Sequence, residues 1–133
     1  MRKIAIALAA AVALLAGPAL QARDKLSPEQ RLEKILEGRE AGKPVSCIST
    51  WSSHSLQILD KTALVYDTGN VVYVNRPANA DMLDDDDILV IKMTGSQLCR
   101  LDSVTLHDRG GGFYRGFVNL NDFVPYRRIA KAN

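Results

Sequence analysis

The stretch Ile88-Leu89-Val90-Ile91, then the turn Thr94-Gly95-Ser96, then Leu98-Cys99-Arg100-Leu101-Asp102 running on to Val104, Leu106 and Asp108, decides how this chain folds. A short apolar run rich in β-branched side chains suits a pleated, covered surface better than a helical turn. It reads as a buried strand that turns back at Gly95 into a second strand, which carries Cys99.

Working outward to the start of the chain, Arg2 and Lys3 precede an uncharged apolar run from Ile4 to Ala16, a Gly17-Pro18 break, and small residues at Ala19 and Ala22. This is the plan of a cleavable secretory signal over residues 1–22, with a single domain over residues 23–133. The run of about 13 residues is too short to span a bilayer, which takes about 20. Pro18 stands where a lipid-modified leader would need a cysteine. The expectation is a soluble periplasmic protein with no stable membrane anchor after cleavage. The charge balance agrees, because the excess of 17 basic over 15 acidic residues is carried by Arg2 and Lys3. Without them no net positive field remains to hold nucleic acid or anionic lipid.

Cys47 and Cys99 are the only cysteines. Export places them in an oxidising compartment, where an intramolecular bridge is expected. Closing a loop of about 50 residues removes unfolded-state entropy worth about 4 kcal/mol in the chain-entropy model. A catalytic thiol would need a setting that favours thiolate, and neither cysteine belongs to a Cys-x-x-Cys pair.

Ser27-Pro28-Glu29-Gln30 announces a helix: Ser27 can cap, Pro28 fits the first helical position, and Gln30 completes a capping box. Leu32, Ile35, Leu36 and Ala41 follow helical spacing, so the helix is expected over about residues 27–41, docking its apolar stripe on a sheet. From Val45 the pattern becomes strand-like. Thr62-Ala63-Leu64-Val65-Tyr66 and Val71-Val72-Tyr73-Val74 flank Asp67-Thr68-Gly69-Asn70, a hairpin loop in which Gly69 can take the left-handed conformation. The acidic run at Asp84, Asp85, Asp86 and Asp87 is expected to be a solvated loop, and residues 127–133 a frayed tail.

The Cys47-Ile48 start, the arm Gly69-Asn70-Val71-Val72-Tyr73-Val74-Asn75-Arg76 and the segment Leu98-Cys99-Arg100-Leu101-Asp102-Ser103-Val104 together resemble a family of small exported proteobacterial proteins of unknown function. The resemblance spans roughly residues 45–108. It implies an exported, mostly β domain with structural cysteines, and it brings no activity, ligand or catalytic residue. Members of that family often carry further cysteines after the Asn-Arg pair and near the C-terminus; this chain has none at either place.

His54 and His107 are the candidates for general acid–base chemistry, with Ser53, Ser55 and Asp60 near one and Asp102, Thr105 and Asp108 near the other. No Gly-x-Ser-x-Gly elbow accompanies them. If Val104 and Leu106 face the core, alternation turns His107 outward. Asp81, Asp84 and Asp86 are the candidates for a calcium site, but their spacing lacks the alternating ligands and central glycine of an EF-hand loop. Neither histidine has a zinc partner at helical spacing, and no cofactor is expected. The glycines at 110–112 could present amides to an anion, although a hairpin loop is the simpler use. Phe113, Tyr114, Arg115, Phe117, Phe123, Tyr126, Arg127 and Arg128 form an aromatic-basic mixture able to meet an anionic glycan or a protein.

The expected fold is mainly β: a small barrel or highly curved sheet of about six antiparallel strands with one N-terminal α-helix, a two-sheet sandwich being the alternative. The expected function is a non-catalytic binding or accessory module for an envelope protein or glycan. A small hydrolase using His107 or His54, and an inhibitor or immunity-type protein presenting the acidic run, are the rivals.

Overall fold

The computed structural model describes residues 25–51 and 55–130; the expected leader at 1–22 and His54 lie outside them. The described chain is mainly β with one helix. Helix α1 (Pro28–Leu36) starts at the predicted capping box, with the Gln30 amide donating to Ser27 Oγ and the Ser27 amide to Gln30 Oε1. It ends earlier than its spacing suggests. Gly38 turns the chain at a φ of +72° and Arg39–Ala41 becomes strand β1, held by pairing with the far end of the chain.

The remaining strands are β2 (Cys47–Ile48), β3 (Ser55–Leu59), β4 (Ala63–Asp67), β5 (Val71–Asn75), β6 (Asp87–Lys92), β7 (Leu98–Cys99), β8 (Ser103–Asp108), β9 (Tyr114–Val118) and β10 (Phe123–Arg128). They form a five-stranded sheet in the order β1-β10-β5-β4-β3, a three-stranded sheet in the order β6-β8-β9, and the pair β2-β7, all antiparallel. The sheets are open, so no barrel forms, and there are ten described strands instead of about six.

Two apolar clusters explain the layering. Leu64, Tyr66 and Phe123 from the large sheet meet Val104, Leu106 and Val118 from the small one, with Ile48 and Leu98 from the β2-β7 pair. On the other face of the large sheet, Leu59, Ala63, Val65, Val72 and Val74 pack on Leu32, Ile35 and Leu36 of α1. β4 therefore buries every residue from Ala63 to Tyr66, because both of its faces are covered. The β4-β5 hairpin turns as predicted: Gly69 has a φ of +86° and its amide donates to Asp67 Oδ1 at 2.7 Å.

Three expectations need correction. The run Ile88-Leu89-Val90-Ile91 is not a buried strand: β6 is the edge of the small sheet, and Ile88 and Val90 remain 43% and 41% exposed. Cys99 belongs to the separate β2-β7 pair and not to the strand that carries Val104 and Leu106. Residues 127 and 128 are not frayed, since β10 is inserted between β5 and β1. Pro125 is tolerated inside that strand because its carbonyl accepts from the Gly42 amide on the β1 side, at 2.7 Å, just where β1 has ended. The amide that proline lacks would point to that same side, so the β5 ladder keeps its bonds.

Candidate functional site

Two strand edges flank one cleft. β3 ends the large sheet and β6 ends the small one, and among the described residues neither pairs with a further strand. Leu56, Gln57 and Ile58 line the cleft from β3, Asp87 and Leu89 from β6, and Arg31, Asp85 and Arg109 close its rim around a volume of about 370 Å³. Leu56, Ile58 and Leu89 give it three aliphatic side chains, set among the charged and polar groups of Arg31, Gln57, Asp85, Asp87 and Arg109.

The acidic run shapes the rim. Asp84 turns the chain, its Oδ1 accepting from the Asp86 amide at 2.9 Å and its carbonyl from the Asp87 amide at 3.1 Å. Asp85 then pairs with Arg31 of α1 at 3.6 Å, and Asp86 with Arg109 at 3.6 Å. Arg115 Nη1 lies between Asp84, at 3.5 Å, and Asp87, at 3.2 Å. Asp87 is not the solvated residue its neighbours suggest. It opens β6 with 2% of its surface exposed, and its Oδ2 is buried without a hydrogen-bond partner. A buried carboxylate is costly unless paired, and the Arg115 contact on Oδ1 answers only half of that demand.

The calcium candidates do not converge: Asp84 and Asp86 are taken up as described, Asp81 sits on the short 3₁₀ turn Ala80–Met82, and among the described residues no three acidic, histidine or cysteine side chains are grouped to hold a metal. His107 lies on the outer face of the small sheet and lines no part of the cleft. Its Nδ1 faces the Gly112 carbonyl at 3.0 Å and its Nε2 the Thr105 hydroxyl at 3.0 Å. A carbonyl only accepts, so Nδ1 carries the proton that meets Gly112, while the Thr105 hydroxyl also lies 3.4 Å from the Val90 carbonyl. The two nearby acids are engaged elsewhere. Asp108 accepts from the Gly111 amide at 2.7 Å, and Asp102 from the Cys99 amide at 2.7 Å and the Thr94 hydroxyl at 2.9 Å. Those bonds, the Cys99 amide first, hold the Asp102 carboxyl below its ordinary value.

Cys47 and Cys99 are bonded as facing residues of the β2-β7 pair, which leaves no free cysteine among the described residues. The other motif residues are pins. The buried Asn75 side chain donates to the Asn121 carbonyl at 2.7 Å and accepts its amide at 3.2 Å, while Arg76 clamps Glu29 at 2.6 and 3.1 Å. The aromatic-basic mixture is dispersed. Phe123 is in the core, Arg115 serves the aspartates, and Phe113, Tyr114 and Phe117 are exposed on the small sheet. The glycine amides at 111 and 112 are spent on Asp108.

A second hollow, of about 380 Å³, has Val74, Val124 and Tyr126 as its apolar floor, and its arginines, Arg76 and Arg100, are already paired with Glu29 and Asp122. Reading the sequence missed Leu56, Ile58, Arg31 and Arg109 as cleft residues, and Arg115 as the partner of Asp87. Only the acidic run signalled the place, and its arginine partners lie far off in the chain.

Comparison with protein-family models, with characterised proteins and with solved structures gave no match. Among the described residues no helix is long and apolar enough to cross a membrane.

Proposed function

We propose that this chain is an exported, non-catalytic binding module that receives an extended segment of an envelope protein in the cleft between β3 and β6. The observation that carries the reading is that two sheet-edge strands flank one cleft, which presents Leu56, Ile58 and Leu89 between charged residues. An extended peptide can add to such an edge through main-chain hydrogen bonds, while alternate side chains enter the space beside it. The disulfide suits an oxidising compartment, in keeping with export. A hydrolase reading has less to draw on, because His107 lies outside the cleft and is bonded to a hydroxyl and a carbonyl.

The test is a binding screen by fluorescence anisotropy, with labelled strand-forming hexapeptides in one arm and envelope glycans in the other. Saturable peptide binding is expected, weakened several-fold by Leu56→Ser, which removes an exposed aliphatic wall without opening the core. Glycan binding alone, or no peptide binding, would overturn the reading, as would turnover of an ester or peptide substrate lost in His107→Ala.

A further inference from the structure

The cleft carries a chemical preference of its own. Four aspartates, Asp84, Asp85, Asp86 and Asp87, meet three arginines, Arg31, Arg109 and Arg115, so the ion pairs leave one negative charge in excess. Asp108 adds to that excess, since it stands directly opposite Asp87 across the β6-β8 ladder. The surplus is localised. Arg115 engages Oδ1 of Asp87, whereas Oδ2 of the same carboxylate is buried, has no hydrogen-bond partner, and belongs to a residue that lines the cleft.

Resting on the peptide-binding reading above, we infer that the cleft selects a lysine side chain of the incoming segment, its ammonium meeting Asp87 and its methylene stem lying along Leu56, Ile58 and Leu89. Shape and charge both favour lysine. A single unpaired carboxylate oxygen, which the cleft must open slightly to present, offers one acceptor to a compact ammonium, whereas a guanidinium fork is best met by two parallel acceptors, and here Arg115 already occupies the other oxygen. A four-carbon stem places apolar surface against those three aliphatic side chains while the charge reaches the acid. Arg31 and Arg109 do not oppose this at the rim, because each is held by its own aspartate.

The test uses the whole protein and three capped hexapeptides of alternating threonine and valine, with lysine, norleucine or arginine at one central position, titrated by calorimetry. The lysine peptide is expected to bind about tenfold more tightly than its norleucine counterpart, the size of one charge-assisted hydrogen bond. Asp87→Asn should bring that ratio close to one. If lysine and norleucine bind equally, the inference is overturned and the peptide-binding reading survives; if no peptide binds, both fall. Tighter binding of the arginine peptide, or displacement of the lysine peptide by millimolar calcium chloride, would also overturn it. The lysine-to-norleucine ratio on the unaltered protein decides the matter even if Asp87→Asn fails to fold.

Discussion

Ala63-Leu64-Val65-Tyr66 and Ile88-Leu89-Val90-Ile91 are nearly equivalent as strings of side chains, yet they live in different surroundings. The first, in β4, is buried at every residue because α1 covers one face of the large sheet and the small sheet covers the other. The second, in β6, alternates. Leu89 and Ile91 pack on the core, while Ile88 and Val90 share the outer face of the small sheet with Thr105, His107, Tyr114 and Phe117. An apolar run thus reports a strand, but the number of covered faces is set by whether a third layer is present. The open edge of β6, facing that of β3, is what makes a cleft possible.

Removing the covalent tie would disturb both regions at once, since Cys47 leads from the segment bridged to Phe123 and Cys99 lies in the connection between β6 and β8. With the cysteines 52 positions apart, Cys47→Ala with Cys99→Ala should lower stability by about 4 kcal/mol, read from urea denaturation. Single truncations then separate the two strings. Leu64→Ala should cost about 3 kcal/mol as a cavity between the sheets, against less than about 1 kcal/mol for Ile88→Ala.

Tyr66 sharpens the contrast in the opposite direction. Its hydroxyl is buried between the sheets without a partner, so Tyr66→Phe should stabilise by about 1 kcal/mol. Burial raises the Tyr66 pKa above its ordinary 10.0. A raised folded-state value gives stability that is complete below the ordinary value and is lost as pH climbs past it, so melting curves should fall above about pH 10 in the wild type and less in Tyr66→Phe. The smallest effect is expected on the acid side. The Asp102 pKa is lowered from 3.8 by the Cys99 amide and Thr94, so its contribution is present above that value and disappears as pH falls below it. Amide shifts at residues 94 and 99 should move in that window, and Asp102→Asn should abolish the movement.

Much of the architecture was legible because it is local. The Ser27-Gln30 capping box and the Gly69 hairpin each depend on residues within a few positions of one another, and both form as read. The end of α1 was not legible. Arg39 to Ala41 leave helical spacing to pair with residues 126–128, and nothing near Gly38 announces that partner. Asp87 was misread for the same reason. Its burial depends on Arg115 and on the β8 strand, and a run of four aspartates reads as solvated until distant arginines neutralise most of it. The cleft itself was illegible, since it arises where two sheets end side by side.

Hydrogen–deuterium exchange, followed residue by residue with and without the lysine hexapeptide, addresses the two-edge cleft most directly. Exchange should slow at residues 56–58 and 87–89 and stay unchanged at residues 114–118 on the outer sheet face. Protection confined to residues 114–118 would contradict the account and move the binding surface to the exposed aromatics.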